Sequence, residues 1–170
     1  MIIIVMGVSG CGKSAVGSRL AELLDAHYAE GDEFHSKANI EKMRNGIPLN
    51  DDDRWPWLTA IAEAIQGWRT QGRNAVVACS ALKKVYRNIL RGGHDDVIFV
   101  HLKGSMELIA ARMAKRKHEY MPATLLQSQF DTLEPPDEKT ENAIAVDITP
   151  PPESIVETVL DRLRKRGLIT

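Results

Sequence analysis

The feature that most constrains this chain is the loop Gly7-Val8-Ser9-Gly10-Cys11-Gly12-Lys13-Ser14, which fits the pattern GxxxxGK[ST]. The continuous apolar run Ile2–Met6 precedes the loop, and apolar residues recur at helical spacing after Lys13. A buried strand, a glycine-rich loop and a helix in this order present backbone N–H groups to the phosphates of a nucleoside triphosphate. The loop therefore predicts an α/β protein that binds such a nucleotide at the start of its first helix.

Two residues of the loop carry specific chemistry. Lys13 is placed to reach the β- and γ-phosphates, and the Ser14 hydroxyl is placed to bind Mg²⁺. Gly10–Ala15 also satisfies the dinucleotide pattern GxGxxA, with Asp32 as the acid that would hold a ribose. That alternative leaves Lys13 and Ser14 without a role. A GTPase switch is disfavoured because the guanine-reading tetrapeptide Asn-Lys-x-Asp does not occur in the sequence.

Composition narrows the class of protein. The 170 residues are 44% hydrophobic and 26% charged, with a formal net charge of −1, which is typical of one globular domain spanning 1–170. We expect no nucleic-acid partner, since no global basic field is present. We expect no membrane segment, since no apolar stretch approaches the roughly 18 residues that span a bilayer. The two cysteines, Cys11 and Cys79, fit a reducing cytoplasm better than a disulfide framework.

The hydrophobic pattern predicts alternating strands and helices. The predicted strands are Ile2–Met6, Tyr28–Glu30, Asn74–Cys79, Val97–Leu102 and Ala143–Ile148. The predicted helices are Lys13–Ala26, Ala38–Arg44, a long one from the acids at 51–53 through Trp68, Leu82–Leu90, Met106–Arg116, Leu125–Leu133 and Glu153–Arg166. This alternation predicts a five-stranded, mainly parallel sheet covered by helices on both faces.

An acceptor site should face the phosphate-binding loop if the protein transfers phosphate. Asp32 follows the second predicted strand, at the edge of a parallel sheet where ligands bind, and could accept a hydroxyl proton. It could equally be a turn or cap residue. His35 follows three residues later and could hydrogen-bond an acceptor hydroxyl.

Basic residues at helical spacing are candidates for anion contacts. Arg112 and Arg116 lie four apart, just before the polar stretch 117–122, and share one helical face. Lys83, Arg87 and Arg91 mark a stripe on the helix after the third strand, with Lys84 beside it. Both groups are compatible with triphosphate or acceptor binding and equally with solvent-facing charge.

Four further segments resemble the gluconate kinases, or gluconokinases. They are GDEFH (31–35), NIEKMRNGIPLNDDDRWPWL (39–58), CSALKKVYRNILR (79–91) and QFDTLEPP (129–136). Together with the loop, these segments extend from about residue 3 to residue 136, in the order expected for the family.

The resemblance implies a three-layer P-loop kinase fold, close to shikimate and nucleoside monophosphate kinases, with a mobile lid at about 117–123. It implies ATP- and Mg²⁺-dependent phosphorylation of D-gluconate at the 6-hydroxyl, in a homodimer. Asp32 would orient or deprotonate that hydroxyl, and Arg112 would lie over the adenine. Lys13 and Arg116 would stabilise the transferring phosphoryl group. The candidates to hold the carboxylate or polyol are Arg54, Lys84 and Arg87.

Shikimate, another sugar acid or a nucleotide remain alternative acceptors. A nucleotide-dependent regulatory protein is an alternative of another class.

Overall fold

The computed structural model describes residues 1–115 and 123–170, which form one parallel sheet and its flanking helices. The strands are β1 (Ile2–Met6), β2 (His27–Glu30), β3 (Ala75–Ala78), β4 (Val97–Lys103) and β5 (Ala143–Asp147). The helices are α1 (Lys13–Leu24), α2 (Lys37–Arg44), α3 (Asp51–Thr70), α4 (Lys84–Arg91), α5 (Met106–Ala114), α6 (Ala123–Thr132) and α7 (Pro152–Lys165). A 3₁₀ turn, Gly31–Phe34, follows β2. The predicted α/β class and five-stranded parallel sheet are confirmed.

The strand order is β2-β3-β1-β4-β5, and every pairing is parallel. All five residues of β1 are buried, as expected for the central strand of a sheet covered on both faces. From β1 the chain first runs to one side of the sheet, to β2 and β3, and then to the other, to β4 and β5. The loop after β1 therefore lies at the switch point of the sheet, where ligands bind in folds of this kind.

The handedness of the connections distributes the helices between two layers. Because parallel crossovers are right-handed, the reversal of direction after β2 places α3 and α4 on the face opposite α1. The contacts agree, since α1 packs against α7 while α3 packs against α4. Register aligns the strand ends, because Val5 pairs with Ala78 and Ala78 pairs with Glu30. The segments after β1, β2 and β3 thus leave the sheet at the same level.

The predicted elements all occur, and several of their ends are shifted. The first helix ends at Leu24 rather than near Ala26, because Asp25 adopts a left-handed conformation and β2 begins at His27. The helix predicted from Leu82 begins at Lys84, because Ala81 has a φ of 46° and the backbone turns there. The long helix α3 begins at Asp51, where Asn50 and Asp53 form a capping box.

Candidate active site

The loop after β1 adopts a backbone path that needs its glycines. Gly12, the N-cap of α1, has a φ of 101°, and Gly10 has a φ of 82°. A Cβ atom on Gly10 would lie 2.6 Å from the Met113 sulfur. The loop can therefore hold its amides around a phosphate only with glycine at these two positions.

Lys13 is held within its own loop. Its Nζ donates to the carbonyl of Gly7 at 3.1 Å and to that of Val8 at 3.0 Å. The ammonium group is therefore already at the loop, where it can exchange carbonyl oxygens for phosphate oxygens. This arrangement agrees with the predicted role of Lys13.

The other predicted ligand residue, Ser14, contacts an acid that the sequence analysis did not single out. Ser14 Oγ donates to Glu30 Oε2 at 2.7 Å, and the Tyr28 hydroxyl donates to the same oxygen at 2.7 Å. Burial, followed by the bond to Glu30, raises the pKa of Tyr28, so the phenol stays protonated and remains a donor. A hydroxyl and a carboxylate are hard oxygen ligands of the kind Mg²⁺ takes together with phosphate oxygens and water. Over residues 1–115 and 123–170, no cluster of three or more His, Cys, Asp or Glu forms a self-sufficient metal site.

Asp32 lies in the 3₁₀ turn directly after β2. The preceding Gly31 is buried against β3, and a Cβ there would lie 2.4 Å from the Ala78 carbonyl oxygen. Trp57 Nε1 donates to the Gly31 carbonyl at 2.8 Å and holds the turn from the side of α3. Asp32 itself is exposed and faces the cavity beside the phosphate-binding loop.

His35 is fixed by stacking and by a buried amide. Its ring stacks on Trp57, with centroids 4.1 Å apart and planes 15° apart. Asn39 Nδ2 lies 3.3 Å from His35 Nδ1 and donates to the Asp53 carbonyl at 2.8 Å. Because burial, and then the charge of Arg54, lowers the pKa of His35 to about 4, the imidazole is neutral at pH 7. Its Nδ1 accepts from Asn39, so Nε2 carries the proton and can donate to a ligand.

Arg54 adds a second cation to the cavity that Lys13 lines. Its guanidinium donates to the Tyr86 hydroxyl at 3.1 Å and lies 5.5 Å from the centre of the Tyr86 ring. The Tyr86 hydroxyl in turn donates a hydrogen bond to Asp51, which also pairs with Lys83 at 3.1 Å. Within the described part of the chain, Arg54 has no carboxylate within 4.0 Å. Its charge is therefore available for an anionic ligand.

These side chains meet in one cavity between the loop and α2, α3 and α6. Its polar wall is formed by Ser9, Lys13, Asp32, His35, Arg54, Ser80, Ser128 and Gln129. The structure thus brings the predicted donor residue Lys13 together with the predicted acceptor residues Asp32, His35 and Arg54.

Arg87 is not in this cavity, and the prediction that it binds the acceptor is wrong. Its side chain is 1% exposed and pairs with the buried Glu141 at 2.7 Å. The guanidinium also donates to the carbonyls of Ala81 at 2.9 Å and Leu82 at 3.1 Å. The guanidinium N–H groups of Arg87 therefore bind Glu141 and hold the left-handed turn at Ala81, which follows Ser80.

Three other predicted basic residues have different outcomes. The Lys84 side chain is exposed and lies outside the cavity wall, so the geometry does not support an acceptor contact. Arg112 donates to the Thr149 carbonyl at 3.0 Å, in the loop after β5, and its contact with adenine stays a prediction. Arg116 and nearly all of the predicted lid, 117–123, lie outside the described residues.

Sequence reasoning missed Glu30, Asn39 and Gln129. Glu30 directly precedes the Gly-Asp pair, and the sequence alone does not distinguish its carboxylate from that of Asp32. Gln129 Oε1 accepts a 2.6 Å hydrogen bond from the Ser9 amide, inside the phosphate-binding loop. The QFDTLEPP segment was the available signal for Gln129, but its pattern alone suggested no role.

Comparison with known proteins identifies the relatives of this chain. The shikimate kinase family profile matches residues 9–164. The thermoresistant gluconokinase of Escherichia coli K12 is 42% identical over 96% of this chain and 94% of its own length. A crystal structure of a gluconokinase from Sinorhizobium meliloti 1021 is 46% identical with a TM-score of 0.86, over 96% of this chain and 91% of that one. The unliganded structure of a sugar kinase from Janibacter sp. HTCC2649 is 44% identical with a TM-score of 0.91, over 99% and 98% of the two chains.

Among the described residues, no helix is both long and apolar enough to cross a bilayer.

Proposed function

The chain belongs to the gluconokinases, and from that membership we propose that it transfers the γ-phosphoryl group of ATP to the 6-hydroxyl of D-gluconate. The observation that carries the proposal is the shared cavity of Lys13, Asp32 and Arg54. It combines a phosphate-binding lysine, a carboxylate placed to accept a proton, and a cation placed to bind an anionic acceptor.

Asp32 and Lys13 have different roles in the transfer of the phosphoryl group. The 6-oxygen of gluconate attacks the γ-phosphorus, the bond from that phosphorus to the bridging oxygen breaks, and ADP leaves. Asp32 accepts the hydroxyl proton as the new bond forms. Lys13 and the loop amides stabilise the negative charge on the phosphoryl oxygens, because they are already arranged around that position.

The acceptor is held by a cation and a neutral donor. Arg54 binds the gluconate carboxylate, since an arginine can form two parallel hydrogen bonds to a carboxylate. His35 donates from Nε2 to the polyol, because Asn39 occupies its Nδ1. Ser14 and Glu30 would hold Mg²⁺, which neutralises phosphate charge when it is bound.

An ADP-release assay with a panel of acceptors tests the proposal. Gluconate, other sugar acids and shikimate are each added with ATP and Mg²⁺, and Asp32→Asn is compared with the exposed neighbour variant Glu33→Gln. We expect gluconate-dependent ADP formation that falls by about 10²–10⁴-fold in kcat for Asp32→Asn and stays near the parent value for Glu33→Gln.

The other outcomes have defined meanings. Faster ADP formation with shikimate or another sugar acid would reassign the acceptor. Slow ATP hydrolysis that no acceptor accelerates would favour a nucleotide-dependent regulatory protein. Near-parent turnover of Asp32→Asn would refute the role of Asp32 as the base. The homodimer, the lid and the phosphate contact of Arg116 stay predictions from the resemblance, and the cytoplasmic location stays a prediction from composition.

A further inference from the structure

We propose that Gln129 is a catalytic residue of this enzyme, whose carboxamide is held by the phosphate-binding loop and donates to the γ-phosphoryl group during transfer. This inference rests on the proposed phosphotransfer. It assigns a role to a residue of the QFDTLEPP segment that the reaction described above leaves unused.

The position of the carboxamide is the first argument. Gln129 Oε1 accepts from the Ser9 N–H at 2.6 Å, and Ser9 belongs to the loop whose amides bind the phosphates. Ser9, Gln129 and Asp32 line the same cavity. The phosphoryl group that moves to the acceptor must lie between the loop and Asp32, so Gln129 stands beside the path of transfer.

The second argument is the unused donor. A glutamine amide offers one acceptor oxygen and two N–H donors. The loop uses the oxygen, and within the described part of the chain Nε2 donates to no protein acceptor. With Oε1 on the Ser9 amide, the amide orientation is fixed, and the two N–H groups remain for a phosphoryl oxygen.

The third argument is that Gln129 is rigidly mounted. The helix α6 buries Leu125 and Leu126, and the Leu133 amide closes its last turn on the Gln129 carbonyl at 2.9 Å. Just beyond, the Glu134 amide donates to the Leu82 carbonyl at 2.8 Å and its carboxylate accepts from the Lys84 amide at 2.8 Å. A donor fixed in this way acts on the transition state without first being ordered.

Two simpler roles for the same contact predict different behaviour. If Gln129 only pins the loop, Gln129→Ala should weaken the binding of ADP and of the triphosphate analogue by the same factor. If Gln129 instead blocks the Ser9 amide until the nucleotide arrives, Gln129→Ala should bind nucleotide more tightly.

The test compares Gln129→Glu and Gln129→Ala with Gln127→Glu, the same chemical change at an exposed position of α6. Three quantities are measured: kcat with gluconate, acceptor-independent ATP hydrolysis, and the ratio of Kd values for ADP and a non-hydrolysable triphosphate analogue. Melting temperatures identify variants that fail to fold, and Gln129→Met, of similar length, replaces any that do.

For Gln129→Glu we expect kcat to fall by about tenfold or more and triphosphate affinity to fall by a similar factor, because a carboxylate faces the γ-phosphate. Affinity for ADP should stay within about twofold, and Gln127→Glu should match the parent. Gln129→Ala, or Gln129→Met, should lower kcat without tightening nucleotide binding.

A Gln129→Glu enzyme with parental kcat and an unchanged ratio of Kd values would overturn the inference, as would tighter triphosphate binding by Gln129→Ala. The binding ratio and the basal hydrolysis need no acceptor. They therefore decide the role of Gln129 even if gluconate fails as a substrate, and such a failure would refute the proposed function alone.

Discussion

Replacing Arg87 by methionine should destabilise the protein without weakening gluconate binding. Arg87 and Glu141 have side chains that are 1% and 5% exposed, and they pair at 2.7 Å. The substitution keeps much of the buried volume but, among the residues that the structure describes, leaves the Glu141 carboxylate with only the Asp137 amide as a donor. It also removes the hydrogen bonds that Arg87 gives to the turn at Ala81.

The magnitude follows from burial. Removing one partner of a buried ion pair costs about 3–5 kcal/mol, because a charge is left without its counter-ion. For a domain of this size, 1 kcal/mol corresponds to a change of about 2–4 °C in Tm, so the expected loss is about 6–20 °C. An exposed pair, Arg19 with Glu22 at 3.0 Å, provides the control, and Arg19→Met should cost less than about 1 kcal/mol.

Thermal and urea unfolding of Arg87→Met, Glu141→Gln and the double variant measure this directly. The double variant should lose less free energy of unfolding than the sum of the single variants, because the orphaned charges no longer occur. Well below its Tm, Arg87→Met should keep the parental KM for gluconate. Unchanged stability together with a KM raised tenfold or more would refute this reasoning and restore Arg87 as an acceptor residue.

Three further predictions concern pH, metal and acceptor. Burial, and then the charges of Arg87 and Lys103, lowers the pKa of His101 from 6.5 to about 4. As the pH falls, His101 therefore takes up a proton in the unfolded chain before it does so in the folded chain. Up to about 3 kcal/mol of the free energy of unfolding is lost between pH 6.5 and pH 4. Urea titrations should show a smaller loss for His101→Gln. Ser14→Ala should raise the Mg²⁺ concentration for half-maximal activity at least several-fold, whereas Ser18→Ala should not; equal Mg²⁺ curves would contradict the metal assignment. Arg54→Met should raise the KM for gluconate by about 10-fold or more with little change in the KM for ATP, and a selective rise in the KM for ATP would place Arg54 on the nucleotide instead.

The donor half of the site could be predicted because its chemistry is local in sequence. One strand, one loop and one helix determine where Lys13 and Ser14 lie, and the alternation of elements determines the sheet. Asp32 could also be predicted, since strand ends share one edge of a parallel sheet.

The acceptor half depends on contacts between distant residues, which spacing alone does not encode. Arg87 shares a helical stripe with Lys83 and Arg91, but its partner Glu141 lies 54 residues further along the chain. The contact of Gln129 with Ser9 spans 120 residues, so nothing near either residue indicates it. Periodicity identifies a face of a helix, whereas these roles depend on which element covers that face.

The tight packing of Gly31 has a consequence for how this scaffold could change specificity. Gly31 separates Glu30, on the metal side, from Asp32, on the acceptor side, and has no room for a side chain against Ala78. Any side chain at that position would push β2 away from β3 and carry both carboxylates with it. The turn thus fixes the spacing between the Glu30 and Asp32 carboxylates. Moving the turn would displace both carboxylates, so neither can be repositioned alone in this way. New acceptors would have to be accommodated by side chains between residues 35 and 58 that line the cavity, such as Arg54, while the phosphate-binding loop stays unchanged.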